Sequence, residues 1–197
     1  MSEMLGPLML FAAAMTLTPG PNVVMATASA ANFGFRRTTK QISGVTFGFG
    51  VQILAAGFGL AGLFEAEPRL HTLLKYVGAA YLLYLAWRIA NADGGGNGAT
   101  RARPLNFVEG VLVTWVNPKG WVTTIGALSA FTTADGDALL QTSVIALVLA
   151  FWCGASLVLW AAFGSAIARY LRRPAVRTAF NGSMAGLLVL SLAPVFW

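Results

Sequence analysis

The chain has 197 residues, of which 57% are hydrophobic and only 10% charged, with a mean hydropathy of +0.70 and a formal net charge of +6. So little polar surface cannot coat a water-soluble globule. The basic residues are spread over several short segments instead of one groove with interleaved aromatics, which argues against a nucleic-acid partner.

A bilayer crossing takes roughly 20 apolar residues, and six stretches meet that length: Met4–Asn32, Gln41–Phe64, Leu70–Ile89, Leu105–Phe131, Ala138–Ala168 and Ala179–Trp197. They predict an all-α, polytopic membrane protein solvated by lipid, one transmembrane domain over residues 1–197 with no soluble domain. The first stretch lacks a basic leader and carries Glu3, so it is expected to stay in the mature chain and not be cleaved as a signal peptide.

Charge between the stretches sets the orientation. Arg36, Arg37 and Lys40, then Arg88, Arg101 and Arg103, then Arg169, Arg172, Arg173 and Arg177 fall on one side. Glu3, Glu65, Glu67, Asp135 and Asp137 fall on the other with Arg69 alone. Basic short loops stay in the cytoplasm, so both termini face out. The run Gly94–Gly98 reads as a flexible linker between halves at about 1–93 and 104–197. Three spans per half is an odd number, so halves sharing a fold are inverted repeats.

The first stretch contains Thr18-Pro19-Gly20-Pro21-Asn22 and the fourth Asn117-Pro118-Lys119-Gly120-Trp121. At ~1.5 Å per residue both lie roughly 18–20 Å deep, near or just past the midplane. Proline removes an N–H and blocks the bond to the carbonyl four residues back, so Pro19, Pro21 and Pro118 should free the carbonyls of Met15, Leu17 and Thr114. A resumed helix also offers its unpaired, positively polarised N–H groups to the gap. Two such breaks supply what a zwitterion needs, N–H groups for a carboxylate and carbonyls for an ammonium. Asn22 and Asn117 add amides.

Lys119 is the candidate for a substrate carboxylate or a coupled proton, because a cation at this depth costs roughly 3 kcal/mol; snorkelling to the outer interface is its structural alternative. Trp115 and Trp121 flank the same break as candidate pocket walls, packing being their alternative. Glu109, near the cytoplasmic end of the fourth stretch, is a candidate for gating or coupling. Gly44 and Gly48 on the second stretch permit a close crossing, within the bundle or in a homodimer. Asn181 is open between an interhelical bond and a substrate contact.

The lone His71 supports neither a haem nor a metal cluster, and the lone Cys153 has no disulfide partner. No nucleophile and base pair, and no phosphate-binding Gly-x-x-x-x-Gly-Lys-Ser/Thr loop, can be assembled. An enzyme, a cofactor and ATP-driven pumping are therefore not expected. The absence of midplane carboxylates favours a zwitterion over a cation as cargo.

The Thr18–Asn22 block, the glycine-rich second stretch, the stretch from Leu74 to Leu85 and the Asn117–Trp121 block resemble, in order and spacing across essentially the whole chain, the LysE/RhtB family of amino-acid exporters. Gly120, often Ala in that family, and Glu109, usually basic or neutral there, depart from its pattern. The resemblance implies efflux of small amino acids or derivatives across the bacterial inner membrane, driven by the proton motive force. The site it suggests comprises Thr18, Pro19, Gly20, Pro21, Asn22, Asn117, Pro118, Lys119 and Trp121. The competing reading is a membrane scaffold or assembly subunit in which the prolines only shape helices, or an exporter of another small solute or cation.

Overall fold

A computed structural model describes residues 2–60, 68–92, 103–133 and 136–193. The glycine run 94–98, the acidic residues Glu65, Glu67 and Asp135, and Arg101 and Trp197 lie outside them. The described residues are helical throughout their ordered elements. In chain order these are α1 (Ser2–Leu17), α2 (Pro21–Phe33), α3 (Phe35–Ala55, extended by one wider turn, Ala56–Leu60), α4 (Pro68–Ala90), α5 (Phe107–Val116), α6 (Pro118–Phe131), α7 (Ala138–Ile167) and α8 (Pro174–Leu190).

Several boundaries have a local cause. Pro21, Pro118 and Pro174 stand in the first turns of α2, α6 and α8, where a missing N–H costs nothing. Gly34 turns the chain between α2 and α3 at φ 87°, a left-handed conformation that favours glycine, and its N–H closes on the Ala30 carbonyl. Asn106 and Glu109 cap α5 reciprocally: Glu109 N–H donates to Asn106 Oδ1 at 2.9 Å and Asn106 N–H to Glu109 Oε2 at 2.8 Å. Asp137 Oδ1 accepts from Leu139 and Leu140 to open α7.

Helix bounds differ from the sequence expectation at two places. Arg36, Arg37 and Lys40 lie in the first turns of α3, which begins at Phe35 and not near Gln41. α8 starts at Pro174, so Arg177 is helical and not part of a loop. Both cases are helices that run on into basic residues beyond the apolar stretch, where hydropathy falls but helix propensity does not.

Among the described residues, the segments 35–59 and 138–172 are each long and apolar enough to cross a membrane unaided, and the pair Met4–Leu17 and Pro21–Phe33, bent by 55°, makes a third. The other candidates fall short of that measure for visible reasons. α4 carries Arg69, Lys75 and Arg88, the halves α5 and α6 have 10 and 14 residues, and α8 has 17.

Side-chain placement is that of a protein with lipid outside. Leu10, Leu147 and Leu190 are exposed at 74%, 71% and 69%, whereas Gln41, Gln52, Thr38, Thr114 and Asn181 are buried. The larger core packs Leu8, Val23, Ile42, Val45, Phe49, Ile53, Ile145, Leu149 and Leu157 from α1, α2, α3 and α7; a second joins Val24, Leu82, Leu85, Val113 and Leu188. α7 packs against α1, α2 and α3, α3 against α5, and α4 against α8.

The α3–α5 crossing is the tightest. A Cβ on Gly48 would stand 3.0 Å from the Cα of Val111, one on Gly110 2.7 Å from the carbonyl oxygen of Gln41, and one on Gly44 would collide with the Phe107 carbonyl. Gly44 and Gly48 are therefore taken up within the chain. Asn181 likewise makes interhelical bonds: its amide exchanges hydrogen bonds with that of Asn32 at 2.7 and 3.3 Å and donates to the Ala92 carbonyl at 2.9 Å, joining α2, α8 and the end of α4.

Candidate functional site

The two helix breaks meet. Lys119 Nζ in the first turn of α6 donates to the carbonyl of Thr18, at the end of α1, at 2.7 Å. A cation on a helix C-terminus complements the negative end of its dipole. Gly20 makes the approach possible through space and not through an unusual φ. Its backbone is extended, φ −159°, but a Cβ there would lie 2.8 Å from Lys119 Cδ and 3.3 Å from Nζ.

Carbonyls released near the end of α1 find partners on α7. Ser156 Oγ donates to Thr16 O at 2.7 Å and Trp160 Nε1 to Leu17 O at 3.3 Å. On the other break, the freed Thr114 carbonyl accepts the Asn117 N–H at 3.2 Å. Asn117 Oδ1 then caps α6 by accepting the Lys119 N–H at 3.1 Å.

The start of α2 has no such cap. Gly20 has no side chain, and the first helical bond is Val24 N–H to Gly20 O at 2.9 Å, which leaves the N–H groups of Asn22 and Val23 ahead of it. Asn22 Oδ1 is buried without a hydrogen-bond partner. These groups face a cavity of about 50 Å³ walled by Thr18, Gly20, Asn22, Asn117, Lys119 and Cys153. Positive helix ends, one cation, one orphaned amide oxygen and helix-end carbonyls thus converge around one small space. That set can take a carboxylate and an ammonium a few ångströms apart.

Of the expected site residues, Thr18, Gly20, Asn22, Asn117 and Lys119 line this cavity. Pro19, Pro21 and Pro118 shape the breaks without lining it. Trp121 is not among the residues that line the cavity. Its Nε1 donates to Trp115 O at 2.7 Å, and the two indoles pack edge to face at 5.9 Å, holding α6 on α5 across the break.

Glu109 is elsewhere, accepting from Arg103 at 2.6 and 2.9 Å and from Arg88 at 3.4 Å. The bond with Glu109 raises the Arg103 guanidinium above its ordinary pKa. Among the described residues no group of three or more His, Cys, Asp or Glu can hold a metal ion.

Two residues line the cavity that charge and proline did not flag, and a third stands behind its Gly120 wall. Thr123 and Cys153 line the cavity. Gln52, on α3, is wholly buried with neither Oε1 nor Nε2 hydrogen-bonded, and a Cβ on Gly120 would stand 3.1 Å from its Oε1. An uncharged amide among apolar neighbours was the available signal, since an unpaired amide in lipid is costly as well.

Broken apolar helices around a small polar cavity inside a lipid-facing bundle are what a membrane transport protein requires. The chain belongs to the LysE type translocator family, whose sequence profile matches residues 13–197. It is 32% identical over 182 residues, 92% of this chain and 91% of theirs, to the cysteine/O-acetylserine efflux proteins of Escherichia coli (strain K12), Escherichia coli O9:H4 (strain HS) and Shigella flexneri. No solved structure matches. A translocator moves its substrate unchanged, so the protein is a transporter and not an enzyme.

Proposed function

We propose that this translocator is a secondary exporter of small neutral amino acids or their derivatives across the bacterial inner membrane, driven by the proton motive force. Its cargo resembles the cysteine and O-acetylserine named for its relatives. The observation that carries the reading is the meeting of the two breaks, where Lys119 reaches Thr18 beside the uncapped start of α2 and the orphaned Asn22 Oδ1.

A substrate carboxylate would lie against the α2 N-terminus within reach of Lys119, and its ammonium against Asn22 Oδ1 and the helix-end carbonyls. A cavity of about 50 Å³ is far smaller than the roughly 300–1,000 Å³ of ordinary small-molecule sites. The helix halves must therefore part for an amino acid to enter.

The membrane arrangement that goes with this reading has six spans, both termini outside, in two inverted halves. What supports the inversion is the pairing of helices: α3 packs on α5 as α7 packs on α1, and the α3–α7 and α4–α8 pairs each join equivalents.

The test is efflux. Bacteria expressing the protein are loaded with single amino acids by dipeptide feeding, and the medium is followed with and without an uncoupler. Faster appearance of neutral amino acids, abolished by the uncoupler, is expected. A folded, inserted protein that leaves every efflux rate unchanged overturns the reading and favours a scaffold.

A further inference from the structure

We propose that the cavity at the basic end of the bundle is a loading site for the carboxylate of a neutral amino acid, with Arg88 as the ligand-binding cation; this rests on the exporter reading above. The cavity measures about 280 Å³ and is walled by the end of α2, the start of α3, the end of α4 and the approach to α5. That volume lies near the lower end of the range for small-molecule sites, about 300–1,000 Å³.

Its charged groups among the described residues are Arg88, Arg103 and Glu109, one net positive charge. Glu109 is committed: it receives both Arg103 nitrogens, at 2.6 and 2.9 Å, and the Asn106 N–H at 2.8 Å. Arg88 is the looser partner. Its Nη1 lies 3.4 Å from Glu109 while Nη2 donates to the Arg103 carbonyl at 2.9 Å, and its guanidinium stands 5.9 Å from the Tyr84 ring centre. A guanidinium anchored on one edge and lightly held on the other suits a carboxylate, which it can meet with two parallel N–H bonds.

A second observation points to the same ligand. Gln41 in the wall of this cavity is 0% exposed, yet neither its Oε1 nor its Nε2 has a hydrogen-bond partner. A buried amide left open on both atoms is costly unless something binds it, and in the wall of this cavity a zwitterion carries the polar groups that could.

The position fits loading. Ser29 and Asn32 of α2 line this cavity and Asn22 of α2 the one at the breaks. The two sites therefore lie some 10–15 Å apart along a single helix at ~1.5 Å per residue. The net positive charge also disfavours a cationic amino acid at the mouth.

Two measurements with O-acetyl-L-serine as probe decide. In proteoliposomes, Arg88→Gln is expected to raise KM about tenfold, the equivalent of one charge-assisted bond, with Vmax within about twofold, and Arg88→Lys to recover part of the loss. An unchanged KM, or a fall in Vmax alone, overturns the loading site.

Independently of flux, Trp87 lines the cavity. Probe should change the fluorescence of the wild-type protein saturably, and Trp87→Phe should remove that change. Its absence in the wild type overturns the proposal even if Arg88→Gln fails to fold. A saturable change without any wild-type transport would support the site while sinking the exporter reading.

Discussion

Lys119 Nζ and the Thr18 carbonyl lie 2.7 Å apart although the residues are 101 positions apart in sequence, so one hydrogen bond ties the two helix breaks together. Lys119→Met keeps the stem and removes the charge. It is expected to lower efflux at least about tenfold, the loss of one charge-assisted bond, while protein in the membrane stays at wild-type level. Efflux within about twofold of wild type would remove Lys119 from the site.

Asn117 caps α6 through its side-chain oxygen. Asn117→Ala should cost about 1 kcal/mol of stability, read as a lower thermal midpoint in detergent, and Asn117→Ser should recover most of it because serine also caps. If Ser recovers the midpoint but not efflux, the amide acts on the substrate as well as on the helix.

Gln52 presents stability and function in opposition. An amide with both polar atoms unpaired costs about 1–3 kcal/mol. Gln52→Leu, close in volume, should raise the thermal midpoint and reduce efflux together. A drop in both would mean that Gln52 only packs.

Cys153 is the sole cysteine and lies in the wall of the small cavity. N-Ethylmaleimide should label the native protein at least about tenfold more slowly than the unfolded chain, because a buried thiol is inert. Excess O-acetyl-L-serine should slow labelling further, with Cys153→Ser as the blank. Labelling insensitive to the amino acid would place the substrate elsewhere.

Gly110→Ala should lower the thermal midpoint, since its Cβ would meet the Gln41 carbonyl at 2.7 Å, and overpacking of this kind costs about 1–3 kcal/mol. Gly182→Ala on α8, with nothing within 4 Å, is the control and should be neutral or stabilising. Equal effects of the two would mean that α3 and α5 cross more loosely than these distances require.

The helical class and the two breaks were legible because apolar length and proline chemistry are local properties: Pro21 and Pro118 sit at helix starts as their ring geometry requires. The partner of Lys119 was not legible. Which carbonyl a lysine meets depends on how α1 and α6 pack, and no spacing rule joins residues 101 positions apart. Trp121 ties α6 to α5 through its bond to the Trp115 carbonyl, a contact that no sequence spacing foretells. Arg88 and Arg103 read in sequence only as orientation signals; their convergence on Glu109 needs α4 and the start of α5 side by side. Gln41 and Gln52 carry no sequence signal as site residues, because an uncharged amide barely lowers the apolarity of a segment.

The glycine crossing of α3 and α5 has a mechanical meaning. With Gly44 against Phe107 and Gly48 against Val111, backbone rests on backbone, and neither helix can slide along the other without collision. The two therefore form one beam. The bend before Pro21 and the break at Asn117 lie outside this rigid pair's contact, where the helices are interrupted and not locked.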